Sequence, residues 1–339
     1  IDLVNELLED IAIAAGASPS SNPLYPIVAH NTTLNEKNLR AIPEYIKSVI
    51  TSNYPTTAST TAYHRLKAAK YPWTAPYNYF LDQVNEFLNL ITIKPYQISQ
   101  AFTHVADSYS LPHIDLACSY LNIAKDDSSP VEDEYTILKD TNTTTNIQQY
   151  YGVDGATIVN PANRSADITV PGNLVSATPG SEFLNRVDIF LQQTKLSLTD
   201  LLELLDCYYI NPVTSSSPSV VRALGLQPSP TSACDLSKMI ISGLSLNDLV
   251  RIHSFVRLWR KTGWTKYELD RVFFSLGITN ASFIDDNIII AIAQYKRLTE
   301  LMNCNPDDLL PFYNDIPYLQ YSSYSGDRPQ PLKTQYEQL

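Results

Sequence analysis

Apolar residues recur every three or four positions along most of this chain, the spacing that lays them on one face of an α-helix. Leu3, Val4, Leu7, Leu8 and Ile11 follow it from the outset. A helix is therefore predicted to be under way at Ile1, and the sequence reads as a cut from something longer. Four further stretches share one plan of amphipathic helix, short turn and second helix: Val84–Pro95, Val187–Ser197, Phe255–Thr265 and Tyr295–Asn305. Their second helices carry Ile98, Ala101 and Phe102; Leu201, Leu202, Leu204 and Leu205; Leu269, Val272 and Phe273; and Leu309, Leu310 and Phe312.

The turn residues repeat with the pattern. Ser197, Thr265 and Asn305 stand at expected N-caps, each followed three residues later by Asp200, Glu268 or Asp308. That spacing predicts capping boxes, in which the cap and the acid satisfy each other's backbone N–H groups. Pro95 and Pro306 fall at first helical positions, where a missing N–H costs nothing. Gly263 and Asn303 can take the left-handed conformation that ends a helix. The turns at Lys94, Ser197, Thr265 and Asn305 are 103, 68 and 40 residues apart, whereas a strict solenoid keeps a constant period. The prediction is a mainly α fold, an irregular helical lobe of recurring αα-hairpins with loop insertions.

Between the hairpins, residues 14–36 and 51–62 read as loops, as do 211–219, 226–233 and the irregular tail Pro317–Pro331. The Gly- and Pro-bearing stretch 152–182, with Thr157–Val159 and Ile168–Val170, predicts a small β-hairpin. The resulting division is a helical segment 1–128, an irregular connecting segment 129–182 and a helical hairpin segment 183–339.

Composition sharpens this picture. Hydrophobic residues make up 44% of the 339 and charged residues only 17%, low against a norm of about 25%. The chain can bury a large core, and its few charges suggest surfaces that meet other protein. Tyr, at 22 residues, suits such surfaces because it buries a ring and keeps a polar tip. A net charge of −11 lacks the footprint of a nucleic-acid binder. The most basic stretch, from Arg251 through Arg257, Arg260, Lys261 and Lys266 to Arg271, alternates with Phe255, Leu258 and Trp259, so it reads as a solvated helix face. Cys118, Cys207, Cys234 and Cys304 are too few and too scattered for a disulfide framework and read as buried thiols. No run of 18 apolar residues occurs, so no simple membrane-spanning helix is predicted.

The motifs of common chemistry are missing. There is no phosphate-binding glycine loop, nucleophile elbow or HExxH. His30, His64, His104, His113 and His253 are scattered, and His113, Asp115 and Cys118 fit no zinc spacing. Asp126-Asp127, Glu132-Asp133-Glu134, Asp285-Asp286 and Asp307-Asp308 lack the calcium-loop order and read as solvated helix starts. No catalytic, cofactor or metal residue is assigned. An enzyme would need a site assembled from distant residues such as His113 and His253.

The stretch Phe255–Arg271, a basic helix running through Gly263-Trp264 into Glu268-Leu269-Asp270-Arg271, closely resembles a signature of the A component of bacterial insecticidal toxin complexes (Tc toxins). Tyr71–Asn78, Leu201–Leu205 with Tyr209–Pro212, and Lys296–Phe312 resemble the same family in the same order, as does Ile1–Glu9. Trp259 and Trp264 are at the same time expected to be core aromatics that pin a turn. The resemblance implies part of the N-terminal helical shell around a translocation channel, in a secreted or surface-bound homopentamer. That assembly works with B and C components to deliver a toxic enzyme into host cells. It implies neither pore nor catalysis for this piece, and no cofactor. Two other readings stay open: a related helical virulence protein or repeat-type interaction scaffold, and a helical hydrolase.

Overall fold

The computed structural model describes residues 66–102, 111, 113–126, 132–141, 147–152, 184–215, 221–227, 236, 239–314, 319–325 and 328–334. The expectations for 1–36, 51–62 and 156–170 lie outside them. Helices dominate: α1 Tyr79–Leu90, α2 Pro95–Phe102, α3 Ile114–Leu121, α4 Glu134–Lys139, α5 Ile147–Tyr150, α6 Val187–Thr194 and α7 Leu198–Asp206 come first. They are followed by α8 Leu246–Thr262, α9 Lys266–Ser275, α10 Asp286–Met302 and α11 Pro306–Leu309.

The hairpins α1–α2, α6–α7, α8–α9 and α10–α11 are the four that the sequence pattern predicts. Complete capping boxes start α7 at Ser197 and α9 at Thr265, and at Asn305, the N-cap of α11, the backbone N–H donates to Asp308 at 2.9 Å. Gly263 and Asn303 end α8 and α10 in the left-handed region. Lys195 does the same for α6, with φ 58°, at a residue whose side chain gives no such signal. A further box, Ser245 with Asp248, starts α8: Ser245 N–H donates to Asp248 at 2.9 Å and Asp248 N–H to Ser245 Oγ at 3.3 Å. Replacing Ser245 by alanine is expected to cost about 1 kcal/mol of stability, and Ser245→Asp a few tenths. A urea midpoint unchanged in Ser245→Ala would refute that role.

One buried cluster takes in Trp73, Leu116, Tyr151, Phe190, Leu204, Phe255, Val272 and Ile292, so the described parts of all three sequence segments contribute to a single core. α8 lies at its centre, packing against α4, α5 and α9, while α10 packs on α3 and α3 on α2.

The strands correct the sequence reading. Three antiparallel two-stranded pairs form, partly within the stretches expected to be loop or irregular: β1 Val213–Ser215 with β2 Val221–Arg222, β3 Gly225–Gln227 with β4 Ile240–Ser242, and β5 Ser322–Ser325 with β6 Arg328–Pro331. Each strand has two to four residues, too short to show an alternation. In the last pair Leu332 N–H donates to the Tyr321 carbonyl at 2.8 Å, which fixes the phase of the ladder. Pro331 and Pro329, opposite Ser322 and Tyr324, then fall at non-hydrogen-bonded positions. Their peptide groups point outward, where a missing N–H breaks no bond. On the other edge Ser322 turns its N–H to Asp206 at 3.0 Å and takes the Tyr267 hydroxyl on its carbonyl at 2.6 Å. The Tyr-rich tail is thereby docked rather than bare: Tyr321 is buried and donates to Asp270 at 2.8 Å, and Tyr324 to Asp206 at 2.8 Å.

Candidate functional site

The basic stretch Arg251–Arg271 is not a solvated face. Arg257 is 2% exposed, in the middle of a helix apolar on most sides. Its guanidinium donates to His253 Nε2 at 2.7 Å, to the Lys70 carbonyl at 2.8 Å and to the Ala75 carbonyl. Among the described residues no carboxylate touches it. Burial lowers Arg257 to about 10, which leaves it charged at neutral pH. This fork fastens the turn 66–78 onto α8. The turn closes itself with Tyr77 N–H on the Leu66 carbonyl at 3.0 Å.

His253, one helical turn before Arg257, is fully buried. Because Nε2 accepts from Arg257, the ring is neutral with its proton on Nδ1. Tyr150 stacks on it at 4.6 Å and 9°, and Trp73 meets it edge-on at 5.7 Å. Trp73 in turn donates to the Tyr150 carbonyl at 2.7 Å. Just beyond, Gly152 holds φ +64°, and a Cβ there would come within 2.6 Å of the Tyr71 ring. Burial first, and the Arg257 charge second, keep the imidazole well below its ordinary pKa. A neutral, sealed imidazole packed among aromatics is a structural group. His113 sits exposed at the N-cap of α3, and among the described residues the two histidines share no pocket. His30, His64 and His104 lie outside the described residues.

Of the other cations Arg260 stays exposed, while Arg251, Lys261, Lys266 and Arg271 are paired. Lys266 is 5% exposed and binds Asp200 at 2.6 Å and Glu203 at 2.7 Å while lying 4.3 Å from the centre of the Trp259 ring. Burial pulls its pKa down, but the two carboxylate hydrogen bonds outweigh burial and leave it raised. Asp200 is correspondingly lowered: burial opposes ionisation, and Lys266 and Ser197 overcome it. Arg271 forks onto Asp307 at 2.8 and 2.6 Å, and Lys261 pairs with Glu134 at 2.7 Å. Three of the four acid clusters lie at helix starts, with Asp133 and Asp285 as caps, yet several are engaged in pairs rather than solvated. Asp126 instead lies between α3 and α4, where it takes Lys67 at 2.7 Å, and Asp127 lies outside the described residues. Val250 and Ile252 flank Arg251, and Val256 and Leu258 flank Arg257, but the other cations of the stretch have polar neighbours, so the sequence alone does not show this inversion.

Asp270 is the deepest acid. It accepts the N–H groups of Tyr208 at 2.7 Å and Tyr209 at 2.9 Å besides the Tyr321 hydroxyl. Burial raises its pKa against those hydrogen bonds. Cys118 and Cys207 are buried free thiols, Cys118 pushed up to about 12 and Cys207 well above its ordinary value, so neither is a ready nucleophile. Cys304 is half-buried and free, and Cys234 lies outside the described residues.

A surface groove of 540 Å³ opens at the α8–α9 turn, lined by Trp259, Trp264, Lys266, Glu268, Arg271 and Leu332 among others. Trp259 Nε1 donates to the Trp264 carbonyl at 2.7 Å, so both indoles pin the turn as the sequence predicts. The groove holds no histidine or cysteine, and its acids are bound to lysine or to caps. No group of three metal-ligating side chains occurs among the described residues, and no helix among them is long and apolar enough to cross a membrane. Compared with protein-family models, with curated proteins and with solved structures, the chain finds no match.

Proposed function

We propose that this chain is a non-catalytic structural piece of a larger assembly, part of the helical shell of a toxin complex A component of the Tc type. In that reading its partners are other A protomers, as a homopentamer, and B and C components above them, and it acts outside the bacterium. The motif resemblance supports the family. One structural observation supports the role.

That observation is a bare apolar face on the α1–α2 hairpin. Val84, Phe87 and Ile91 occupy one side of α1 at helical spacing, with Leu90 beside them, and Ile98 and Phe102 occupy one side of α2. Phe87 is 62% exposed, Leu90 82% and Phe102 80%. Single exposed apolar residues are ordinary, but a cluster on two adjoining helices marks a surface that meets other protein. Shell helices cut from their neighbours would present such a face. It lies on α1–α2, whereas Tyr321 and Tyr324 of the tail are docked onto Asp270 and Asp206.

Sedimentation velocity over a range of concentrations tests the reading. Weak, concentration-dependent association is expected, and Phe87→Ser with Leu90→Ser should abolish it without lowering thermal stability. A chain that stays monomeric at every concentration and does not enhance the fluorescence of an apolar dye would count against the shell role.

A further inference from the structure

We propose that the groove at the α8–α9 turn is a binding site for an uncharged sugar, independent of any self-association through α1–α2. Its volume of 540 Å³ lies within the range of small-molecule sites. Three features of its lining select the ligand class.

The first is the platform. Trp264 is half-buried at the groove, held by its carbonyl to Trp259 and crossed at 82° by Tyr295 at 5.8 Å. Beside it Gly263 leaves open space, since a Cβ there would meet nothing within 4 Å. An indole face carries negative quadrupole charge, and the axial C–H groups of a pyranose present a weakly positive, apolar face to it. The Trp259 ring already carries the Lys266 ammonium, so that cage is not open to a second cation.

The second is charge. Every cation the groove offers from α9 is neutralised inside the protein: Lys266 by Asp200 and Glu203, Arg271 by Asp307. Glu268 is spent on the Thr265 cap, accepting its N–H at 2.7 Å. A charged ligand would find no uncommitted counter-charge on α9 and would still lose hydration on entering. A hydroxyl-bearing neutral ligand uses what remains, the second carboxylate oxygens and the spare guanidinium N–H groups, which are fixed in place by their pairs.

The third is the rim. Leu332 and Lys333 line the groove directly after β6. The outward edge of β6 runs through Pro329 and Pro331 and so carries carbonyls without N–H groups. An added peptide strand needs both donor and acceptor from its neighbour, so a peptide is disfavoured on this side. Sugar hydroxyls need only the acceptors.

Saturation-transfer NMR on the whole chain tests the site, with glucose, galactose, N-acetylglucosamine and maltose as neutral probes and glucuronate and glucosamine as charged ones. At least one neutral sugar is expected to bind in the millimolar range, more tightly than both charged probes. Trp264→Ala should weaken that binding by about tenfold or more, and Trp264→Phe by less. Leu332→Trp, at a rim position 40% exposed, should fill the groove and block binding while leaving the melting temperature unchanged. It decides the matter if Trp264→Ala does not fold. Absence of transfer to every neutral sugar overturns the proposal. So does tighter binding of glucuronate or glucosamine, or binding that survives Leu332→Trp.

Discussion

Arg257→Ala is expected to lower the unfolding free energy by about 3–5 kcal/mol, at the severe end for a single substitution. The fork made by Arg257 satisfies the Lys70 and Ala75 carbonyls and His253 Nε2. Removing it leaves three acceptors short of a partner, each costing about 1–3 kcal/mol if it stays dry. Part of this is returned, because a buried guanidinium has itself lost its hydration. Arg257→Met separates the contributions: it keeps most of the volume and should recover the packing share but not the hydrogen-bonding share. Arg257→Lys keeps the charge yet cannot fork, and should rescue little. Urea unfolding gives the free energies, and Trp73 emission reports whether the turn 66–78 lets go of α8 before the rest unfolds. A loss below about 1 kcal/mol in Arg257→Ala would mean that the fork is not what holds the turn.

The second large effect is on acid stability. His253 has its pKa depressed in the folded chain by burial and by Arg257, whereas unfolded it titrates near 6.5. Above that value neither state binds the proton. Below it the unfolded chain does and the folded chain does not, so stability is present above 6.5 and lost as pH falls. The slope from this one group approaches about 1.4 kcal/mol per pH unit while the unfolded chain alone binds the proton. His253→Gln keeps an acceptor for Arg257 and removes the titration. The stability difference between the parent and His253→Gln, followed from pH 7 to about 5 by urea midpoint, should move in favour of the variant as pH drops. Parallel curves would refute this. Comparing the two chains cancels the carboxylates, among which Asp200, Asp286 and Glu300 are lowered and Asp270 is raised.

What the sequence shows clearly here is local. A capping box is written within four residues, so Ser197, Thr265 and Asn305 were legible as helix starts, and Gly263 and Asn303 as helix ends. The two indoles of the α8–α9 turn lie five residues apart and were legible for the same reason. Arg257 was not, because the carbonyls that satisfy it are 182 and 187 residues away. A cation among apolar residues reads equally as the wet side of a helix until its distant acceptors are known. The short strands were hidden differently: two to four residues carry no period, and their pairing is imposed by the helices they dock on. Asp206 and Asp270 draw in Tyr321 and Tyr324, more than 50 residues further along the chain. The candidate groove was legible only in its turn residues, since its rim comes from the tail.

The prolines of β6 also govern how copies of this chain can meet. An open strand edge templates the next strand, and a chain that also exposes apolar helices would then have a route to growing fibrils. Pro329 and Pro331 close that route by offering an incoming strand nothing to accept from along most of the edge. Growth by backbone zippering on this edge stops at two strands, so an ordered contact made here must be specified by side-chain surfaces, whose geometry can close into a ring of fixed number.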